Sequence, residues 1–227
     1  MSSYLVTGGA GFIGSHLVMR LLHDGHYVRI VDNLVTGSHA NLPKPERVDF
    51  IEADLANAEI AQKVVQDMEF VLHQAAIPSV PRSVSDPVTS HRANVDATLN
   101  PLCAARDAKV ARLIFAGSSS VYGDTPTLPK HESMPADPRS PYALQKFIGE
   151  QYSQLFTELY GLETTTIRYF NVFGPRQDPG SPYSGVISRF IKLLLAGEPP
   201  TIHGDGEQTR DCLLYTSDAA DDTPCVD

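Results

Sequence analysis

Tyr142 and Lys146 stand four residues apart, so on a helix both side chains share one face. A free tyrosine has a pKa of about 10 and is a poor base at neutral pH. A neighbouring lysine cation favours the phenolate and lowers that pKa, which makes the pair an acid–base device. Tyr-x-x-x-Lys also arises by chance on helices, so the spacing alone leaves both readings open. Ser118, Ser119 and Ser120 add three hydroxyls upstream, although a run of serines equally suits a loop or a helix cap. A third constellation lies at the beginning of the chain, where Gly9-x-Gly11-x-x-Gly14 overlaps Gly8-x-x-Gly11-x-x-Gly14. Glycines so spaced permit a tight turn, close backbone approach to a pyrophosphate, and packing of a helix on a strand. A plain glycine turn fits the bare pattern as well. Asp32 follows at the distance where a ribose 2′-hydroxyl would lie, which favours the dinucleotide reading.

These residues need elements to carry them. The apolar run before Gly8 reads as a buried strand, and Ile13, Leu17, Leu21 and Leu22 recur at helical spacing behind the glycines. The helix N-terminus would offer N–H groups and a positive dipole end to phosphates. Tyr27 to Val31 predicts a second strand running into Asp32, and 48–52 a third. A helix containing Ile60, Val64 and Val65 follows, then a short strand over Phe70 to His73 that runs into Gln74-Ala75-Ala76. Small alanines at a strand's carboxyl end let a flat ligand approach, although spacing alone favours simple packing for Ala75 and Ala76. Pro78 to Pro81 reads as a loop, and Val88 to Arg106 as one long helix kinked at Pro101. Strands are expected at Arg112 to Ala116 and Thr164 to Tyr169, with a helix between them from Pro141 to about Tyr160. One more helix is expected from Gly185 to Ala196. Alternation of strand and helix signals predicts parallel βαβ units.

The 227 residues can hold one large α/β domain or one domain and part of another. Hydrophobic content of 42% and charged content of 20% suit a globular protein. A formal charge of -9 with no basic cluster argues against a nucleic-acid surface. No apolar run reaches the length of a membrane span, and Met1-Ser2-Ser3 leads straight into the first strand, so no signal peptide is read. Cys103, Cys212 and Cys225 show no metal-ligand spacing and an odd count, which fits a reducing cytoplasm.

In their order the motifs resemble the extended short-chain dehydrogenase/reductase family, and within it the nucleotide-sugar epimerases. Tyr169-Phe170-Asn171-Val172-Phe173-Gly174-Pro175-Arg176-Gln177-Asp178-Pro179 and Gly204-Asp205-Gly206-Glu207-Gln208-Thr209-Arg210-Asp211 are most similar to UDP-glucose and UDP-N-acetylglucosamine 4-epimerases. The resemblance covers Tyr4 to Asp211. It implies a doubly wound parallel α/β sheet of Rossmann type with a small, incomplete C-terminal substrate-binding lobe. The NAD-binding domain would occupy 1–170 and the partial substrate-binding region 171–211. NAD would be held by Gly8, Gly11, Phe12, Ile13, Gly14, Asp32, Asn33, Asp54, Leu55, Ala75, Ala76, Asn94, Tyr142, Lys146 and Tyr169. Asp54 and Leu55 would flank the adenine, and Asp32 would hold the ribose hydroxyls and repel the phosphate of NADP. Ser118, Tyr142 and Lys146 would be catalytic, with Ser119 and Ser120 close by, while Asn171 and Arg210 would contact the diphosphate of the UDP-sugar. A homodimer through the helices holding Asn94 and Tyr142 is implied for the intact protein.

The implied reaction removes the proton from the sugar 4-hydroxyl through Tyr142, forms a 4-keto sugar, and returns hydride to its other face. Related 4,6-dehydratases place an Asp-Glu pair after the catalytic Ser or Thr, and nucleotide-sugar decarboxylases place a Glu at the second of those positions. Here these positions hold Ser119 and Ser120, so the acids of elimination and decarboxylation are absent. A binding protein without catalysis would be expected to lose Ser118, Tyr142 or Lys146, and this chain keeps all three. From Cys212 the periodicity ends, and Cys212 to Asp222 resembles a translated sequencing adapter. The expectation is therefore a truncated, poorly active chain whose residues 212–227 are foreign and disordered.

Overall fold

The computed structural model of the chain describes residues 1–178, 186–202 and 204–207, and the backbone of 212–214. Two compact units divide the chain, Met1–Tyr169 and Phe170–Asp227. The first is built on six strands: β1 (Ser3–Thr7), β2 (Tyr27–Asp32), β3 (Asp49–Glu52), β4 (Phe70–His73), β5 (Arg112–Ser118) and β6 (Thr164–Tyr169). They pair in the order β3-β2-β1-β4-β5-β6, every pairing parallel. Strand order reverses direction between β1 and β4, and in such sheets a crevice opens at the carboxyl ends of the two strands flanking the reversal. Thr7 and His73 are register partners there, so the glycine turn and Gln74-Ala75 emerge side by side.

Helices cover both faces because strand residues point alternately to each. Leu5, Val31, Val71, Leu113 and Phe115 join a core with Val64, Val65, Leu102 and Phe156. Their strand neighbours Val6, Val28 and Ile30 pack on the other face against Val18 of α1 (Phe12–His23). Helix α2 (Ala58–Val65) starts where Asn57 accepts the Glu59 N–H at 2.9 Å.

The segment read as a loop followed by one long helix is more divided than expected. Ser79 accepts the Arg82 N–H at 3.1 Å and starts a short helix, α3 (Val80–Ser85). Asp86 caps α4 (Pro87–His91), a π-helical turn spans Arg92–Asp96, and α5 runs Ala97–Asp107. Pro101 lies inside α5, and the departure from α geometry comes about two turns earlier, at Asn94. Serine as a cap and proline in the first turn were the sequence signals for α3.

Helix α6 (Pro141–Tyr160) has Ser140 as its cap, accepting the Ala143 N–H at 3.1 Å, and ends on left-handed Gly161. In the second unit β7 (Asn171–Phe173) pairs in parallel with β8 (Cys212–Leu214), and α7 spans Val186–Leu195. Cys212, Leu213 and Leu214 thus form a strand where disorder was expected, because their backbone finds a ladder with β7. The rest of 212–227 and Gly185 lie outside the described residues. Among the described residues no helix is long and apolar enough to cross a membrane, and no His, Cys, Asp and Glu cluster could hold a metal ion.

Candidate active site

At the end of β1 the chain turns through Gly8, whose φ is +66° and whose N–H donates to the Val31 carbonyl at 2.8 Å. A Cβ at Gly8 would lie 2.8 Å from the Ala75 backbone, and one at Gly14 would lie 2.2 Å from the Gly8 carbonyl oxygen. Glycine is therefore required at both positions by close approach. Gly11 donates its N–H to the Gly8 carbonyl at 3.0 Å and caps α1, so Phe12 and Ile13 form the first turn of a helix directed at the crevice mouth.

Asp32 closes this side. Its two carboxylate oxygens accept the Ala10 N–H at 3.0 Å and the Leu34 N–H at 2.8 Å. Burial pushes its carboxyl above the usual carboxylate range, against the pull of these backbone donors. Gly37 crowds it so closely that a Cβ there would lie 2.8 Å from the Asp32 oxygen. Asn33 turns its side-chain oxygen back to the Val35 N–H, and Asp54 does the same to the Ala56 N–H. Leu55 sits in the core, with its carbonyl bonded to Asn100 at 2.9 Å. Ala75 and Ala76 are partly buried, and the Ala75 N–H donates to the Thr7 hydroxyl at 3.1 Å.

Asn94 is 1% exposed and spends its side chain inside the protein. It accepts the Ile77 N–H at 2.8 Å and donates to the Gln145 side-chain oxygen at 2.9 Å. Its amide thus ties the segment after β4 to α6. The π-helical turn brings it there, and helical periodicity carries no sign of such a turn.

The other side of the site is built from side chains. Ser118 ends β5 opposite Tyr169 on β6. The Ser118 and Ser120 hydroxyls lie 2.8 Å apart, and the Ser120 N–H donates to Ser118 at 3.2 Å. Ser119 opens a single 3-10 turn over Ser119–Tyr122. The Ser118 hydroxyl lies near enough to the Tyr142 phenol to pull its pKa down, so strand end and helix α6 meet at these two hydroxyls. Burial nevertheless pushes the Tyr142 phenol up to about 12, and the Ser118 hydroxyl offsets only part of that. Lys146 lies on the same helix face, but its Nζ donates to the Ala116 carbonyl at 2.8 Å and sits 5.0 Å from the centre of the Phe115 ring. Burial holds its ammonium down to about 8. The expected lowering of the tyrosine by the lysine is therefore not what this geometry gives, because burial dominates and the ammonium is drawn to a carbonyl. Tyr169 is also raised by burial, with a Gln74 hydrogen bond pulling the other way.

Sequence spacing did not point to the residues that hold α6 in place. Ser83 of α3 accepts the Tyr142 N–H at 3.0 Å. Glu150, one turn beyond Lys146, takes two hydrogen bonds from Arg168 at 2.9 and 2.6 Å. The Arg168 guanidinium lies over the Tyr122 ring at 4.7 Å, joining α6, β6 and the turn after Ser118. Asn171 is exposed on β7 in the second unit, and Arg210 lies outside the described residues. The first unit therefore places a glycine turn and an acid at one side of a crevice. On the other side stands a set of hydroxyls able to move a proton to and from a substrate oxygen.

Residues 4–222 match the model of the NAD dependent epimerase/dehydratase family. That match continues past Asp211, where the resemblance was read to stop. The chain is 43% identical to the UDP-glucose 4-epimerase of Mycolicibacterium smegmatis, over 96% of this chain and 70% of that protein. Its structure is similar to the UDP-N-acetylglucosamine 4-epimerase of Methanobrevibacter ruminantium, solved with UDP-N-acetylmuramic acid. That comparison gives a TM-score of 0.90 at 46% identity, covering 94% of this chain and 69% of that one. The UDP-glucose 4-epimerase of Thermus thermophilus, solved with NAD, gives 0.86 at 40% identity, covering 93% and 70%.

Proposed function

Because this chain belongs to the NAD dependent epimerase/dehydratase family, we propose that it inverts the configuration at C4 of a UDP-hexose, UDP-glucose or UDP-galactose or their N-acetyl forms. NAD is its cofactor, and the residues present fit it. The Gly8 and Gly14 positions leave no room for a Cβ, α1 begins at the crevice mouth, and Asp32 presents a carboxylate at the end of β2. Gly8, Gly11, Phe12, Ile13 and Gly14 would take the pyrophosphate, Asp32 and Asn33 the adenosine ribose, and Ala75 and Ala76 the flat face beyond. Bound NAD supplies the oxidant and then the reductant at sugar C4, and its positive ring favours the phenolate of Tyr142.

Everything else falls to the side chains. Tyr142 takes the proton from the sugar 4-hydroxyl and later returns it. Ser118, beside Tyr142, orients that same oxygen, and Ser120 holds Ser118 in turn. Lys146 contributes positive charge on the Tyr142 face of α6. With a pKa near 8 it keeps most of its charge at neutral pH. Asn171 and Arg210 are proposed for the diphosphate of the substrate.

One observation carries the choice of reaction. Ser119 and Ser120 stand where elimination or decarboxylation of the ketone would need carboxylic acids, and Ser120 is spent on Ser118. Epimerisation needs neither acid. Incubating the chain with NAD and UDP-galactose or UDP-N-acetylgalactosamine, with chromatography of the products, tests this. Interconversion to the gluco epimer is expected. Release of a dehydrated or decarboxylated sugar, or no turnover by a chain that binds NAD, would overturn it. We also propose a homodimer, supported by exposed Leu144, Leu155 and Leu159 on α6 and Val88 on α4. A cytoplasmic setting belongs to the same reading.

A further inference from the structure

His73 has no part in the chemistry above, yet it is 1% exposed among hydroxyls that are buried as well: Thr7 at 0% and Thr98 at 2%. The hydrogens of this group can be assigned. The Thr7 hydroxyl oxygen accepts the N–H groups of Gln74 and Ala75, each at 3.1 Å, the first of them shared with the Thr7 carbonyl at 3.2 Å. An oxygen with two lone pairs so used must donate its own hydrogen. The only acceptor it reaches among the described residues is His73 Nδ1, at 2.8 Å. Nδ1 is therefore bare and the ring hydrogen sits on Nε2. On that side Thr98 gives its hydrogen to the Asn94 carbonyl at 2.8 Å, leaving its oxygen to accept from Nε2 at 3.0 Å. Both ends agree on one tautomer, and a chain of hydrogen bonds with a single direction runs from the amides of Gln74 and Ala75 to the π-helical turn.

Its ends matter for the crevice. Asn94, where the chain of bonds arrives, also accepts the Ile77 N–H at 2.8 Å, so the segment Gln74 to Ile77 is anchored at both ends. Ala75 lies against Gly8 with no space for a single methyl between them. A shift of a few tenths of an ångström in this segment therefore reaches the glycine turn. The imidazole is flanked by the Phe115 ring at 5.8 Å, and burial beside charged Lys146 keeps it neutral down to about pH 3.

We propose that His73, locked as the Nε2–H tautomer between Thr98 and Thr7, is a positioning residue that holds Gln74 and Ala75 against Gly8 and thereby sets the cofactor cradle. The proposal rests on NAD occupying that cradle.

Nitrogen-15 imidazole spectra of the unaltered chain, without NAD, test the assignment directly. A protonated Nε2 and a bare Nδ1, unchanged between about pH 5 and 9, are expected. A protonated Nδ1 or an imidazolium at neutral pH would overturn the proposal whether or not NAD binds. The functional arm is calorimetric titration of the full chain with NAD. His73→Phe keeps a flat ring without hydrogen bonds, and Thr98→Val removes the far acceptor. Each is expected to raise the Kd about tenfold, and the double variant no further than His73→Phe alone, because both cut one chain of bonds. Thr98→Ser should restore affinity to within about twofold. Variants that melt earlier yet bind NAD as the parent does would reduce His73 to a structural brace and sink the proposal. A parent chain that binds no NAD would instead refute the cofactor reading, with the spectra still deciding the tautomer.

Discussion

The β1–β2 side and the β5–β6 side of the crevice are made of different materials. The first is backbone: Gly8, Gly11 and Gly14 within one turn, and Asp32 held by the N–H groups of Ala10 and Leu34. The second is side chain: Ser118, Tyr142, Lys146 and Tyr169 arrive from a strand, a helix and another strand, aligned by Ser83, Glu150 and Arg168. A backbone site depends on local space, so it is damaged by added atoms. A side-chain site depends on distant partners and on charge, so it is damaged by lost hydroxyls and by pH. The comparison separates binding from turnover.

Removing a hydroxyl from the side-chain half should have the largest effect. Tyr142→Phe is expected to lower turnover on the order of a thousandfold, since general acid–base groups contribute about 10²–10⁴. NAD affinity, measured by calorimetry, should stay close to that of the parent. Equal loss of both would erase the distinction between the two halves.

Adding one methyl group to the backbone half comes next. Gly14→Ala places a Cβ 2.2 Å from the Gly8 carbonyl oxygen, a backbone atom that cannot swing aside. Destabilisation of about 3 kcal/mol with loss of NAD binding is expected in denaturant and binding titrations. An unaltered Kd would mean that the turn is looser than its contacts imply.

Charge sharpens the contrast further. Burial holds Lys146 at about 8 against its ordinary 10.5, so between those values the unfolded chain keeps a proton that the folded chain has lost. Stability should therefore rise with pH across that window, by up to roughly 3 kcal/mol. Tyr142 acts in the opposite sense. Its phenol, at about 12 against 10.0, keeps its proton longer in the folded chain, so its contribution falls above about pH 10. Urea midpoints of the NAD-free chain should climb from about pH 8 to 10 and lose that slope in Lys146→Met. A slope that survives the substitution would assign it to another group.

The smallest expected effect concerns cofactor choice. Asp32 is crowded by Gly37 and carries the acidic charge of the backbone half. Asp32→Ala should narrow the preference for NAD over NADP about tenfold, or roughly 1.4 kcal/mol. A preference left intact would move that discrimination elsewhere.

The legibility of the two halves follows the same division. The glycine spacing, the strand before it and the helix behind it are local, and periodicity alone gave them, together with the parallel α/β alternation and α6 with its proline in the first turn. The divided helix was hidden because Asn94 sits in a wider turn that mimics helical spacing, and the short α3 looked like a proline loop. β8 was hidden because its three residues have no pattern of their own and become a strand only beside β7.

What the chain determined by itself is what lies within a few residues: which segments extend, which coil, where a glycine must stand, and which residue types can exchange a proton. What only the tertiary structure decided is how those groups are charged and to whom they are bonded. Lys146 turns to Ala116, Asn94 spends its amide on Ile77 and Gln145, and His73 is fixed in one tautomer by Thr7 and Thr98. The reason is physical. Desolvation and hydrogen bonding act across space between residues tens of positions apart, and no spacing along the chain records how deeply a group will be buried.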